Sequence, residues 1–299
     1  MTAVRPRRSV LYMPGSNARA LDKARSLAAD ALIFDMEDAV APDAKPEART
    51  IIDAALRDGG YGGREILIRI NGLATQWGRD DLAAAVASRP DAVLVPKVSS
   101  AEDLERISFE MRRLGAPAEM KVWAMIETPL AILSLREIAS FAARPGSRLA
   151  GFVLGLNDLA KETGAQFVPG RAPMLPWMMM ALAAARAFGL VVLDGVFNDI
   201  YDEEGFAAEC RQGREFGFDG KTLVHPKQIA PANAAFVPSV EEIEWARVIV
   251  DTFNRPENAD KSAIKIDGRM VERLHAEMAA KTLLLSDAIR RTDSLALAS

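Results

Sequence analysis

The chain has 299 residues, 49% of them apolar and 26% charged, with a net charge of −4. That length suits two average domains or one α/β barrel, and the apolar share is that of a globular protein with a full core. The negative balance gives no basic footprint for nucleic acid, and a single cysteine, Cys210, excludes an internal disulfide framework and a cysteine-rich zinc site.

The first segment, with Arg5, Arg7 and Arg8 ahead of Val10–Met13, has too short an apolar core for a signal peptide. Short β-rich apolar runs then recur along the chain. They are Ser9–Pro14, Ala31–Glu37, Glu65–Asn71, Ala92–Val98, Lys121–Thr128, Leu149–Asp158, Leu190–Val196 and Gly220–His225. Segments of helical periodicity, such as Asn17–Ala29 and Ala101–Leu114, separate them. Met174–Leu190 is the one stretch resembling a membrane span. It carries Pro176 and Arg186 and falls short of the roughly 20 residues a bilayer requires, so it reads as a buried or subunit-facing helix. The expected location is cytoplasmic.

Strand–helix alternation implies parallel pairing with right-handed crossovers. Eight such units predict an α/β fold, a (β/α)8 TIM barrel over residues 1–237, rather than an open doubly wound sheet. Residues 238–299 follow as a C-terminal helical arm. Ser239 reads as an N-cap with Glu241 and Glu242 in the first turn, and this helix should fade near Asn254-Arg-Pro256. A polar segment, Glu257 to Lys265, leads through Ile266-Asp-Gly268 into a final helix from Arg269 to about Arg290. An arm of this length must pack on something, and a lid on a neighbouring subunit is the natural candidate.

On a barrel, the C-terminal strand ends surround one pocket. Here they carry Asp35, Glu37 and Asp38, then Arg69 and Asn71, Lys97, Glu127, Asn157 and Asp158, Asp194, and His225. Polar groups at buried strand ends are costly, so this many at one rim points to a charged functional cavity. Single residues have plainer readings: Glu127 as a helix cap, Arg69 as a counter-ion for Glu37 or Asp38, His225 as a turn residue before Pro226. Two converging carboxylates, Glu127 and Asp158, suit Mg²⁺, which leaves positions open for water or substrate oxygens. Mn²⁺ shares that oxygen preference. Such an ion can polarise a carbonyl, and Arg69 can grip a carboxylate or enolate with a planar fork. No Gly-x-Gly-x-x-Gly follows a strand and no Gly-x-Ser-x-Gly elbow occurs, which argues against a nicotinamide or flavin cofactor and an ordinary serine hydrolase.

Several motifs carry a family resemblance. Arg8-Ser-Val-Leu-Tyr-Met-Pro-Gly-Ser-Asn17, Phe34-Asp-Met-Glu-Asp-Ala-Val40, Ile68-Arg-Ile-Asn71 and Met125-Ile-Glu-Thr128 resemble the citrate lyase β-subunit-like family, within the aldolase superfamily that includes malyl-CoA and citramalyl-CoA lyases. Gly155-Leu-Asn-Asp-Leu159, Leu193-Asp-Gly-Val196 and Gly220-Lys-Thr-Leu-Val-His-Pro226 match as well. The resemblance implies a Mg²⁺-dependent barrel, trimeric or hexameric, that cleaves 3-hydroxyacyl-CoA thioesters to an acyl-CoA and a small keto acid. It implies Glu127 and Asp158 as metal ligands and Arg69 as the residue stabilising the enolate. Glu37 and Asp38 would orient Arg69 and metal-bound waters. Arg8, Ser16, Asn17 and Arg19 would help hold coenzyme A.

In stand-alone lyases of this family a neighbouring subunit's arm brings an acid–base Asp in a pattern like Gly-x-Met-Ile-Asp. Here Gly268-Arg-Met-Val-Glu272 places Glu at that position. Glu is one methylene longer, and misplacing a catalytic group by about 1 Å can cost on the order of 100-fold. Glu272 is thus either a repositioned acid–base or the mark of a different reaction, and an exposed helix glutamate is the plainer alternative. His275 is a weaker candidate for a lid contact. The leading expectation is a carbon–carbon lyase on malyl-, citramalyl- or citryl-CoA. The alternatives are a malyl-CoA thioesterase using the same site and a citrate lyase β-subunit acting on an acyl-carrier protein within a complex.

Overall fold

The computed structural model describes residues 4–297. Eight strands, β1 (Ser9–Pro14), β2 (Ala31–Asp35), β3 (Glu65–Arg69), β4 (Ala92–Val95), β5 (Lys121–Ile126), β6 (Leu149–Leu154), β7 (Val191–Asp194) and β8 (Gly220–Leu223), pair in parallel in chain order. β8 returns to β1, with Val10 opposite Thr222 and Leu11 opposite Leu223, so the sheet closes into a barrel. The (β/α)8 expectation holds.

The strands read as near-continuous apolar runs because both faces are covered. Alternation still sorts their side chains. Val10, Ile33, Leu67, Leu94, Trp123, Met125, Val153 and Leu193 fill the barrel interior. Leu11, Phe34, Ile68, Val93, Ala124 and Phe152 face outward into a second layer shared with the surrounding helices. Trp123, fully buried, contributes on the order of 3 kcal/mol through removal of apolar area from water.

Most strands stop two or three residues short of their expected ends, because the backbone leaves the sheet as it reaches the rim. The largest correction follows β6, where a helix, Leu156–Thr163, begins immediately. Asp158 therefore lies in the first turn of a helix and not at a strand end. The segment 174–190 forms the helix Leu175–Ala187, with Met178, Ala181, Leu182 and Ala185 buried and Met179 and Met180 exposed. Among the described residues no helix is long and apolar enough to cross a membrane.

The described residues divide into two compact units, residues 7–236 and a second made of residues 237–297 with 4–6. In the second unit a helix spans Val240–Phe253. Ser239 Oγ accepts the Glu242 N–H at 3.2 Å, and Glu242 Oε2 accepts the Ser239 N–H at 2.6 Å, a reciprocal cap that satisfies two otherwise orphaned donors.

The expected final helix from Arg269 is overturned at its start. Residues 263–272 form an antiparallel hairpin, β9 (Ala263–Ile266) and β10 (Arg269–Glu272), and the last helix runs Arg273–Leu297. The turn is Asp267-Gly268 with φ of 46° and 82°. Two successive left-handed residues make the tight turn whose twist matches a hairpin, and Asp-Gly is its strongest local signal. Ile266 and Val271 bury one face of the hairpin against Ala246, Ile249 and Phe253.

Candidate active site

At the C-terminal end of the barrel lies a cavity of about 340 Å³, lined by Tyr12, Asp35, Asp38, Arg69, Met125, Glu127, Asn157, Asp158 and Thr222 among others. Its centre is Arg69. Asp35 and Arg69 are register partners on β2 and β3, and both side chains are buried. Arg69 Nε donates to Asp35 Oδ1 at 2.7 Å and Nη2 donates to Oδ2 at 2.6 Å. This bidentate geometry fixes the plane of the guanidinium. Asp35 also accepts the Glu37 N–H at 2.8 Å and the Ala39 N–H at 3.0 Å, which shapes the loop after β2. The Tyr12 ring lies 4.7 Å from the guanidinium carbon and gives a cation–π floor.

The resemblance assigned the orientation of Arg69 to Glu37 and Asp38; the closest partner is Asp35. Glu37 Oε2 stands 3.0 Å and Asp38 Oδ2 3.4 Å from Arg69 Nη1, as outer neighbours. Parity made Asp35 legible: Ala31, Ile33 and Asp35 share the interior face of β2. Burial works against the charge on Arg69, but Asp35 and Glu37 more than offset it and hold the guanidinium protonated. Glu37 is pushed up to about 8, by burial first and by Asp38 and Glu127 after it, with Arg69 opposing. Lys45, buried and absent from the sequence reading, anchors the loop, with Nζ donating to the Met36 and Glu37 carbonyls at 3.0 and 2.8 Å.

Glu127 follows β5 and is 1% exposed. The plainer helix-cap reading fails, because Thr128 Oγ1 takes that role by accepting the Ala131 N–H at 3.0 Å. Glu127 Oε1 instead accepts the Lys97 N–H at 2.7 Å. Its carboxyl is pushed up to about 7 by burial, with the Lys97 N–H pulling it down and Asp158 pushing it further up. Asp158 pairs with Lys97, Nζ to Oδ1 at 3.4 Å. Among the described residues no group of three or more His, Cys, Asp or Glu side chains gathers as a metal set. Glu127 and Asp158 on one cavity are nevertheless a donor set that fits Mg²⁺, which commonly uses one or two carboxylates and completes its shell with water and substrate oxygens.

Gly155 lets Glu127 take this position. A Cβ on Gly155 would lie 2.4 Å from both Cβ and Oε2 of Glu127. Gly155→Ala is therefore expected to displace the carboxylate and weaken Mn²⁺ binding about 10- to 100-fold, the usual range for disturbing a ligand's support. Electron paramagnetic resonance titration on protein with an unchanged circular dichroism spectrum checks this, and unaltered affinity would count against it.

The other candidates separate. Arg8 is corrected: it precedes β1, at the opposite end of the barrel from the rim, buried with its guanidinium on Asp30 at 2.8 and 2.9 Å. Ser16 and Arg19 lie on the segment after β1 near the rim, the first half-buried and the second exposed. Asn17 beside them uses Oδ1 to cap the helix Ala18–Ala24 through the Ala20 N–H at 3.0 Å. His225 is the expected turn residue, with Nδ1 accepting the Lys227 N–H at 3.2 Å. Asp194 does not face the cavity. It ends β7 with its side chain fully buried, held by Arg171 and Lys221. Glu272 is exposed on β10 of the second unit, its N–H donating to His275 Nδ1 at 2.9 Å.

A larger cavity of about 930 Å³ lies beside residues 101–113, with Arg79, Phe109 and Arg144 in its wall. Among its lining charges, Arg106 pairs with Asp103 and Arg144 with Glu105, whereas the smaller cavity gathers Arg69, Glu127 and Asp158.

Comparison with known proteins shows what the chain is similar to. A family model described as HpcH/HpaI aldolase/citrate lyase matches residues 8–226. A (3S)-malyl-CoA thioesterase of Cereibacter sphaeroides is 48% identical over 284 residues, covering 95% of this chain and 96% of the relative. The citrate lyase subunit beta of Escherichia coli is 33% identical over 273 residues, covering 90% and 89%. Among solved structures, protein CitE from Mycobacterium tuberculosis in complex with magnesium, acetoacetate and coenzyme A superposes with a TM-score of 0.75 at 28% identity, covering 93% of this chain and 97% of that one.

Proposed function

The chain belongs to the HpcH/HpaI aldolase/citrate lyase family, and from that premise we propose that it hydrolyses the thioester of a 3-hydroxyacyl-CoA of the malyl-CoA class. The observation that carries the reading is the 48% identity to a malyl-CoA thioesterase across 95% of this chain, joined to a cavity in which Arg69 faces Glu127 and Asp158. Glu127 and Asp158 would hold Mg²⁺, with Mn²⁺ as a substitute. Bound there, the ion supplies Lewis-acid polarisation of a substrate oxygen.

The protein's own groups account for the rest. Arg69, held rigid by Asp35, presents Nη1 toward the negative charge that grows on the thioester oxygen as water adds to the carbonyl carbon. A donor fixed before the reaction is worth more than one that must reorganise. Collapse then breaks the carbon–sulfur bond and releases the thiol of coenzyme A. Glu37, 3.0 Å from Arg69 Nη1, would take the proton that the adding water gives up and return it to the departing sulfur. Ser16, Asn17 and Arg19 remain the proposed contacts for coenzyme A. A homo-oligomer, trimer or hexamer, in the cytoplasm completes the proposal.

A carbon–carbon lyase is the second reading, favoured by Arg69 itself. The same fork that would stabilise a tetrahedral oxyanion would stabilise an acyl-CoA enolate. Glu272 is the residue on which the two readings divide. Glu272→Asp, which restores the lyase pattern, is expected to move product from free coenzyme A toward keto acid or glyoxylate by about tenfold in ratio, since about 1 Å of placement governs such steps.

Product analysis of the purified protein with malyl-, citramalyl-, β-methylmalyl- and citryl-CoA, with Mg²⁺ and with chelator, tests the proposal. Metal-dependent release of free coenzyme A with intact hydroxy acid supports the thioesterase. Keto acid or glyoxylate with an acyl-CoA would replace it by the lyase.

A further inference from the structure

Both candidate cation ligands are tied to one residue, Lys97. It follows β4 and adopts φ 53°, a left-handed conformation that few side chains other than Asn or Asp occupy readily. In that conformation its N–H meets Glu127 Oε1 at 2.7 Å. Its side chain meanwhile sets Nζ 3.4 Å from Asp158 Oδ1. One residue thus touches one carboxylate through its backbone and the other through a full positive charge.

We propose that Lys97 is the positioning residue of the cation site: its backbone N–H fixes Glu127, and its ammonium is a placeholder on Asp158 that a divalent ion displaces. This rests on the reading of Glu127 and Asp158 as the ligands. Two carboxylates facing one cavity repel each other, and an ammonium on one of them relieves that repulsion. When a dication arrives the ammonium becomes redundant and is itself repelled.

Two details suit Lys97 to leave. Its side chain is 50% exposed and that of Asp158 22% exposed, so the pair is solvent-screened and weak. A point charge on a flexible stem can swing into water, which a forked guanidinium locked by two hydrogen bonds cannot do. The rim therefore has a fixed cation, Arg69, and a movable one, Lys97. The strained backbone stays in place when the side chain moves, so Glu127 keeps its orientation through the exchange.

The test is Mn²⁺ affinity of the full chain, read by electron paramagnetic resonance, in the wild type and three variants whose folding is checked by thermal melting. K97G removes the ammonium but accepts φ 53° without strain, and should bind Mn²⁺ roughly fivefold tighter, the scale of a half-exposed ion pair. K97R restores a cation and should return affinity to within about twofold of wild type on that same scale. K97V also lacks the ammonium, but a β-branched residue resists positive φ. It should therefore bind more weakly than K97G because Glu127 loses its donor. If the wild type binds Mn²⁺ and K97G binds it equally or more weakly, the placeholder role is wrong while the cation site stands. K97V matching K97G would refute the backbone role. If neither wild type nor K97G binds Mn²⁺, the ligand assignment falls, and this inference with it.

Discussion

Arg69→Lys is expected to lower kcat by about 10²- to 10³-fold, the cost of removing one preorganised oxyanion donor, with a much smaller change in KM. Lysine keeps the positive charge, so Asp35 is not stranded in the barrel without a counter-ion. What is lost is shape. Arg69 spends Nε and Nη2 on Asp35 and still has Nη1 for Glu37, Asp38 and the cavity. A single ammonium pulled onto Asp35 has no second arm to extend. The Tyr12 face under the guanidinium favours the same planar group. Steady-state kinetics beside a melting curve decide the matter. A proportional fall in stability would point to a structural role, and an undiminished kcat would remove Arg69 from the chemistry.

The largest effect on stability is expected from Asp194→Asn. Asp194 is fully buried, bonded to Arg171 Nη1 through both oxygens at 2.8 Å and to Lys221 Nζ at 3.0 Å. Lys221 also reaches Glu209 at 3.1 Å. Asparagine preserves the outline and removes the charge, leaving two buried cations with one partly buried carboxylate. Stripping one partner from such a cluster costs about 3–5 kcal/mol, or roughly 10 °C in Tm for a unit of this size. Burial opposes ionisation of Asp194, yet Lys221 and Arg171 hold it below the ordinary aspartate range. Its contribution is therefore complete above that range and fades only as pH falls through the depressed folded value. A Tm for Asp194→Asn within about 2 °C of wild type would mean less than about 1 kcal/mol was lost and refute this account.

The sequence carried the barrel because period and alternation are local signals. The eight apolar runs lie where β1 to β8 form, and only their ends were overextended. Glu127, Asp158 and Arg69 were legible as rim charges for the same reason. What a linear reading weighed poorly was orientation at the strand ends. Asp35 and Asp194 both close apolar runs, but one faces the cavity beside Arg69 and the other faces Arg171 and Lys221 beneath the helix Glu203–Phe216. Telling them apart requires knowing the long-range counter-ion. Arg8 failed differently, since a motif groups neighbours in sequence and a strand places its two ends on opposite faces of a barrel. The hairpin at Asp267-Gly268 was legible and was outweighed by the helical pattern after it.

Barrel closure has a consequence for how activity arises during folding. Asp35, Arg69, Glu127 and Asp158 come from four separate β/α units, and the ring is sealed by β1 meeting β8, with residue 10 opposite residue 222. Contacts so distant in sequence carry a loop-closure cost that precedes their reward and slow the search for the native state. No contiguous fragment shorter than the stretch from β2 to the helix Leu156–Thr163 contains all four groups. Recovery of turnover on refolding should then trail recovery of helical signal, because the four groups meet only once β2 to β6 have paired in register.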